Sequence, residues 1–514
     1  MKTFTLKHAA LSTLFALSSF TSNAWATKDV TIAVEITLDS LDPYNTNSTL
    51  AQAVGKGYYE GLLAFDKDLN IKPLLAERIE ANDNGTVYHI QLRKGVKFHD
   101  GTDFTATAVK ANFERVLDKS NALARYNQFS RIKEIEVVND HEVKITLTEP
   151  FSAFMNALAH PSAMMISPTA LEKWGKDITF HPTGTGPFKF VEWKPAESVK
   201  MEKFDGYWQE GYPKVDSLTF RTVSDNNTRA AVLHTGEVDA AYPLPYEQVS
   251  RLEKNKKLQL ISAPSIIARY ISMNVLQKPF DDVRVRQAVN YAINKEALAK
   301  VAYAGHAFPS QGVIPQGVAY AHQMDPWPYD PEKAKELLKE AGYADGFNTT
   351  LWAGSNDGTT AKASQFLQQQ LAQVGIKASV ELLESGQRVE RVAQAKDPET
   401  APVRMYFAGW SASTGEADWA LRPLLATNGW PPVFNNTAYY SNEMVDKNIA
   451  DALSTTDEAE KTRLYKEAQE QIWNDAPWAF LVTGKLLYAH STKISGFNVM
   501  PDGSFEYRDL DKAE

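Results

Sequence analysis

Between residues 275 and 480 the hydrophobic period switches repeatedly from helical to strand-like, and this limits the possible folds more than any other feature of the chain. "DVRVRQAVNYAINKEALAKVAY" opens on Asp282 as a helix cap, and "DPEKAKELLKEAG" has Asp330 as cap, Pro331 in the first turn and Gly342 as the stop. Strand "TTLWA", helix "TAKASQFLQQQLAQVG", strand "KASVELL", a short helix over about residues 387–395 and strand "VRMYFAG" follow in order. Strands that alternate with helices of this length build a parallel sheet, and such sheets collect ligands beyond the carboxyl ends of their strands.

The N-terminal part is also mixed α and β. "DVTIAVEI" alternates as a strand, "TLDSLDPYNTNS" is turn-rich, and "TLAQAVGKGYYEGLLAF" has helical spacing with Ser48 or Thr49 as cap. "TVYHIQLRKGVKFHDGTDF" reads as a glycine-turned hairpin feeding the helix "TATAVKANFERVL", whose Val109, Phe113 and Val116 form an apolar stripe. No repeat and no low-complexity tract interrupts this pattern, which argues against solenoids and propellers.

Lys2 and Lys7, an apolar run from Ala9 to Phe20 and the sequence Ala24-Trp25-Ala26 make residues 1–26 an expected cleaved signal peptide. The chain contains no cysteine, so no lipid-anchoring cysteine is expected and the exported protein should be soluble. An exported chain without disulfides must be held by packing alone, which a 514-residue chain with 43% hydrophobic residues is large enough to achieve. Removing Lys2 and Lys7 takes the formal charge from −9 to −11, which argues against nucleic acid or an anionic membrane as partner.

The loop "GWSASTGEADW", Gly409 to Trp419, follows the last strand of the series and so should overhang the ligand edge of the sheet. Trp410 is its candidate stacking wall, and Ser411, Ser413 and Thr414 are its candidate polar contacts. Tyr44, Tyr58 and Tyr59 are candidate walls from the opposite side; the last two are adjacent in a helical pattern, so about 100° separates them and one should face the cleft. Arg388, near a helix start beyond a strand end, and Arg269, beside "YISMN", are candidate anion partners. The turn "SNDGTT", Ser355 to Thr360, is a candidate anion cradle or a plain connection. No P-loop, nucleophile elbow or zincin motif occurs, and the histidines lack metal-ligand spacing; the His99-Asp100 pair in "FHDG" reads as structural. No enzyme activity, metal or cofactor is expected.

"NDNGTVYHIQLRKGVKFHDGTDFTATAVKANFERVLD", "GTGPFKFVEW", "YISMNVLQKPFDDVRVRQAVNYAINKEAL" and "YDPEKAKELLKEAGY" resemble the periplasmic substrate-binding proteins of peptide and nickel ABC importers. "RYISMN", "GWSASTGEADWAL" and "NGWPPVFNNTAYYSN" are nearest to the glutathione-importing branch. The resemblance implies an α/β, two-lobed periplasmic binding protein of type II in the large peptide-binding class. Residues 27–44, 190–275 and 480–514 would form the core of lobe I, 45–189 its inserted subdomain and 276–479 lobe II. A hinge is expected near Arg269 to Asn274. A monomeric clamp would close on glutathione, or on a short peptide, haem or nickel chelate, and hand it to an inner-membrane ABC permease. Peptide-binding relatives hold the ligand ammonium with an aspartate three residues after the tryptophan; here that position is Ser413, so Asp418 or Glu416 is the expected replacement.

Overall fold

The computed structural model describes residues 27–35, 38–354, 358–395 and 397–513; the expected signal peptide and Ser355 to Asp357 of the candidate cradle lie outside them. One eleven-stranded sheet runs through the molecule, and its strands are numbered here along the chain. They are β1 (Asp29–Val34), β2 (Phe188–Lys194), β3 (Ser198–Lys203), β4 (Ser217–Thr222), β5 (Ala240–Tyr242) and β6 (Leu258–Met273), then β7 (Ala307–Pro309), β8 (Phe347–Gly354), β9 (Ile376–Leu383), β10 (Met405–Ser411) and β11 (Trp478–Ser491). The spatial order is β9-β8-β10-β6-β11-β5-β1-β4-β3-β2, with β7 paired to β11.

Each end of this sheet contains a parallel trio, β9-β8-β10 on one side and β5-β1-β4 on the other. The long antiparallel pair β6–β11 joins them. Leu258 to Pro264 pairs with Lys485 to Ser491 beside the β1 trio, whereas Ala268 to Ser272 pairs with Trp478 to Thr483 beside the β8 trio. Between these stretches β6 spends Ser265, Ile266 and Ile267 against the single Gly484 of β11. A bulge of this kind bends a ladder without ending it. A second register shift follows between Arg269 and Tyr270, where Leu481 of β11 has no partner on β6, so the ladder is broken both at residues 264–268 and at the start of the expected Arg269 to Asn274.

Helices pack on both faces. The segment opened by Asp282 divides into α4 (Val283–Ala292) and α5 (Lys295–Tyr303), because Asn294 supplies a second cap by accepting from the Ala297 amide. They cover Ile271, Met405, Phe407 and Leu481 together with α7 (Gly358–Ala372). Asp330, Pro331 and Gly342 at φ +88° bound α6 (Pro331–Glu340). The N-terminal helical pattern is cut short: Ser48 caps α1 (Thr49–Gly55), after which Tyr58 and Tyr59 stand in the following turn and residues 63–65 form a strand. A separate four-stranded sheet, Ala76–Ala81, Val87–Leu92, Glu142–Leu147 and Ile132–Asn139 in that order, carries α2 (Ala106–Leu117) and α3 (Phe154–Ala159) nearby. Val109, Phe113 and Val116 are buried under α2, each contributing about 1.5–3 kcal/mol. The second half of the expected hairpin reduces to one bridge between Lys97 and Asp103.

Candidate functional site

The carboxyl ends of β1 and β5 meet those of β8 and β10 at the bulge, so both parallel trios direct their loops into one crevice. A cavity of about 200 Å³ lies there. Glu35, Tyr242 and Tyr246 line it from the β1 side, Ser265, Ile267 and Arg269 from the bulged strand, and Tyr303, Thr359 and Thr360 from the β8 side. Arg269 stands opposite Gly409 in the β6–β10 ladder, and its guanidinium lies across the glycine: a Cβ at 409 would fall 2.4 Å from Nη1. Burial, with the carboxylates of Glu35 and Asp502 and the hydroxyl of Tyr246, drives the Tyr242 hydroxyl far above the usual phenol range against the opposing charge of Arg269. Tyr242 is therefore a neutral hydrogen-bonding group between an acid and a base.

A smaller chamber of about 50 Å³ lies by the Met500–Ser504 turn. Lys56, Tyr59, Glu60, His160, Met500 and Asp502 are among its walls. Lys56 Nζ donates to Ser504 Oγ at 3.0 Å and Phe505 O at 3.0 Å, and meets Met500 Sδ at 3.2 Å. Asp502 Oδ1 accepts from the Ser504 amide at 2.9 Å, while its carbonyl accepts from Ser411 Oγ at 3.1 Å. His160 shares hydrogen bonds with Ser413 Oγ at 3.0 Å and Ser162 Oγ at 2.8 Å. Burial foremost, and then Arg125 and Lys56, hold its pKa well below the ordinary histidine value, so the ring is neutral at pH 7.

The Trp410 loop is not draped over an open edge. Trp410 closes β10, and its indole Nε1 donates to Trp419 O at 2.8 Å, with the rings 5.9 Å apart; it is half-buried and lines neither chamber. Ser411 joins the Met500–Ser504 turn, Ser413 meets His160, and the Thr414 carbonyl accepts from Asn156 Nδ2 at 2.7 Å. Gly415, at φ +71°, faces Phe65 and Leu69. The loop thus stitches the β10 end to the inserted segment, and residues 412–418 are buried.

Asp418 and Glu416, the expected ammonium partners, each face a cation of the protein itself. Asp418 forms a buried two-point ion pair with Arg422, at 2.7 and 2.8 Å, one turn along α8 (Asp418–Leu425). Glu416 faces Lys461 at 2.8 Å in α10 (Glu458–Asp475). The Asp418 charge is offset by its arginine, whereas burial outweighs Lys461 at Glu416 and raises its carboxyl above the usual range.

Of the candidate tyrosines, Tyr44 is sealed in the core 5.9 Å from Phe129, and Tyr58 packs edge-on against Tyr59 and Phe190; neither is a cleft wall. Tyr59 lines the smaller chamber. Arg388 is half-buried beside the Tyr406 hydroxyl and lines neither chamber, whereas Arg269 lines the larger. His99 bonds Gly186 O at 2.9 Å. Glu35, Lys56, His160, Tyr242 and Asp502 were unmarked in the sequence. They are scattered over more than 440 positions, and no local spacing signals that the sheet brings them together.

The model of bacterial extracellular solute-binding proteins, family 5 Middle, matches residues 70–432. The chain belongs to this family. Over 503 residues, 98% of each chain, it is 56% identical to the glutathione-binding protein GsiB of Salmonella typhimurium strain LT2. The glutathione-binding protein GsiB of Escherichia coli O157:H7 is 56% identical over 496 residues, 96% of this chain and 97% of that one. Among solved structures, the periplasmic binding protein DppA of Helicobacter pylori in complex with peptide STSA superposes with a TM-score of 0.83 at 29% identity, covering 93% and 98% of the two chains. The dipeptide-binding protein of Pseudoalteromonas sp. SM9913 with Met-Leu gives 0.85 at 25% identity, covering 94% and 100%. The fold is the two-lobed type II binding-protein fold, and the chain is a solute-binding protein and not an enzyme.

Proposed function

We propose that this protein is the periplasmic binding component of an ABC importer, that it captures glutathione by closing its lobes, and that it delivers the cargo as a monomer to an inner-membrane permease. The observation that carries the cargo assignment is the 56% identity, from end to end, to proteins named for glutathione binding. The crevice chemistry agrees with it. Glutathione presents two carboxylates and one ammonium, and the crevice offers Arg269, Lys56, Glu35 and Asp502 around the neutral Tyr242 and His160. Both signs of charge facing one crevice, with Arg229 and Lys485 adding to the cationic side of the larger cavity, suit a zwitterion that carries two carboxylates and one ammonium. Closure about the bulge at 264–268 excludes water, which strengthens each of these contacts.

Calorimetric titration with reduced glutathione, oxidised glutathione, Ala-Ala, a tripeptide and haem tests the assignment. Glutathione at 100 times its dissociation constant should stabilise the fold by about 2.7 kcal/mol. Stabilisation by Ala-Ala or the tripeptide with no response to either form of glutathione would transfer the cargo to short peptides, which the solved relatives carry.

A further inference from the structure

The smaller chamber, like the larger one with Glu35 beside Arg229 and Arg269, carries both signs of charge. Lys56 and Asp502 both line it, and one residue couples them: Ser504 accepts from Lys56 Nζ through its hydroxyl and donates its amide to Asp502 Oδ1. A cation and an anion are thereby held on one turn, facing the same space. None of the three groups around Lys56 Nζ is a carboxylate, and one is the thioether of Met500, a weak acceptor. Burial pushes the Lys56 pKa down, opposed by the more distant Asp502 and Glu506, so an arriving carboxylate improves the environment of its charge. The volume, about 50 Å³, holds roughly four water-sized groups, which is the scale of an ammonium and a carboxylate on one carbon.

We propose that this chamber is an α-amino-acid subsite in which Lys56 receives the carboxylate and Asp502 the ammonium of a γ-glutamyl end. The subsite rests on the cargo reading above and gives it a basis for selectivity. An ordinary peptide begins with an ammonium next to an amide, so it leaves Lys56 without its anion. A γ-glutamyl ligand carries both charges on one carbon and satisfies both walls. His160, hydrogen-bonded to Ser413 Oγ, forms another wall of the chamber. The remaining carboxylate of the ligand then reaches towards Arg269 in the larger cavity.

Calorimetry of the purified chain with glutathione, γ-glutamyl-cysteine and the α-linked isomer Glu-Cys-Gly tests the subsite. The γ-linked ligands should bind at least tenfold more tightly than the α-linked isomer. Lys56→Met should weaken γ-linked binding at least tenfold while changing the α-linked isomer less than threefold, whereas Asp502→Asn, which removes the ammonium partner, should weaken both. Equal affinity of the wild-type protein for α- and γ-linked ligands overturns the proposal without recourse to any variant, as does full affinity in both variants. Glutathione binding that ignores both substitutions removes the subsite and leaves the transport reading standing. Binding of γ-glutamyl-cysteine that depends on Lys56, with none of glutathione, supports the subsite and removes glutathione as cargo; binding of neither γ-linked ligand removes both.

Discussion

Asp418→Asn separates a structural carboxylate from a ligand-binding one. The two oxygens of Asp418 take Nε and Nη2 of Arg422, and both side chains are more than nine-tenths buried. An amide at this position keeps the shape but leaves a guanidinium buried without a counter-charge. Breaking such a pair on one side costs about 3–5 kcal/mol. For a cooperative unit of about 150–250 residues, 1 kcal/mol moves the melting temperature by about 2–4 °C, so the expected fall is about 6–20 °C. Glutathione affinity of the folded fraction should change by less than about threefold, because Asp418 lines neither chamber. If Asp418 instead held the ligand ammonium, the loss would be about 2–5 kcal/mol of binding with melting unchanged. Thermal unfolding and calorimetric titration of one preparation measure both quantities. A double substitution, Asp418→Leu with Arg422→Met, should recover most of the lost stability, since replacing a whole buried pair by apolar groups is often neutral. Unaltered melting with collapsed affinity for Asp418→Asn would refute the assignment.

Gly409→Ala should weaken glutathione binding about tenfold or more while changing stability by less than about 1 kcal/mol, because the new Cβ displaces the Arg269 guanidinium and that side chain can move; Arg269→Met should reproduce the loss in the same titration. Ser152 donates its amide and hydroxyl to Leu453 O at 2.8 Å and Ala452 O at 3.0 Å, capping α9 (Glu443–Ser454) from the inserted segment, so Ser152→Ala should cost about 0.5–1.5 kcal/mol of closure and raise the dissociation constant severalfold without touching the ligand. Stability should fall as pH drops below about 6.5, since the folded pKa of His160 lies well below 6.5 and the unfolded chain then binds the extra proton. The slope is about 1.4 kcal/mol per pH unit for this residue, and urea unfolding at pH 7.5, 6.5 and 5.5 should lose that part of the slope in His160→Gln. His99, held at about 4 by burial, adds a second contribution of the same sign.

Local chemistry made much of the architecture readable before any fold was known. Asp282, Asp330, Pro331 and Gly342 act over a turn or two of helix, and the alternation from Phe347 to Ser411 reports which side chains face a core. The helical reading of "TLAQAVGKGYYEGLLAF" failed where apolar spacing met tertiary demands: past Gly55 the chain turns, Tyr58 and Tyr59 enter the core side by side, and residues 63–65 pair as a strand. The aromatic and acidic loop after β10 signalled importance but not direction, because the same composition serves to grip a ligand or to fasten two lobes. Only the tertiary structure shows Trp410 hydrogen-bonded to Trp419 and Asp418 balanced by Arg422.

By itself, the order of residues determined an α/β chain with capped helices, a parallel sheet in its second half and an arginine beside the expected hinge, while the second parallel trio, β5-β1-β4, came from the tertiary structure. The tertiary structure alone decided which charges share the crevice. Lys56 and Asp502 stand 446 positions apart, and pairings between strands from both ends of the chain bring them to a single turn. Electrostatic partnership depends on distance through space and on burial, and neither is encoded in the spacing of residues along a chain.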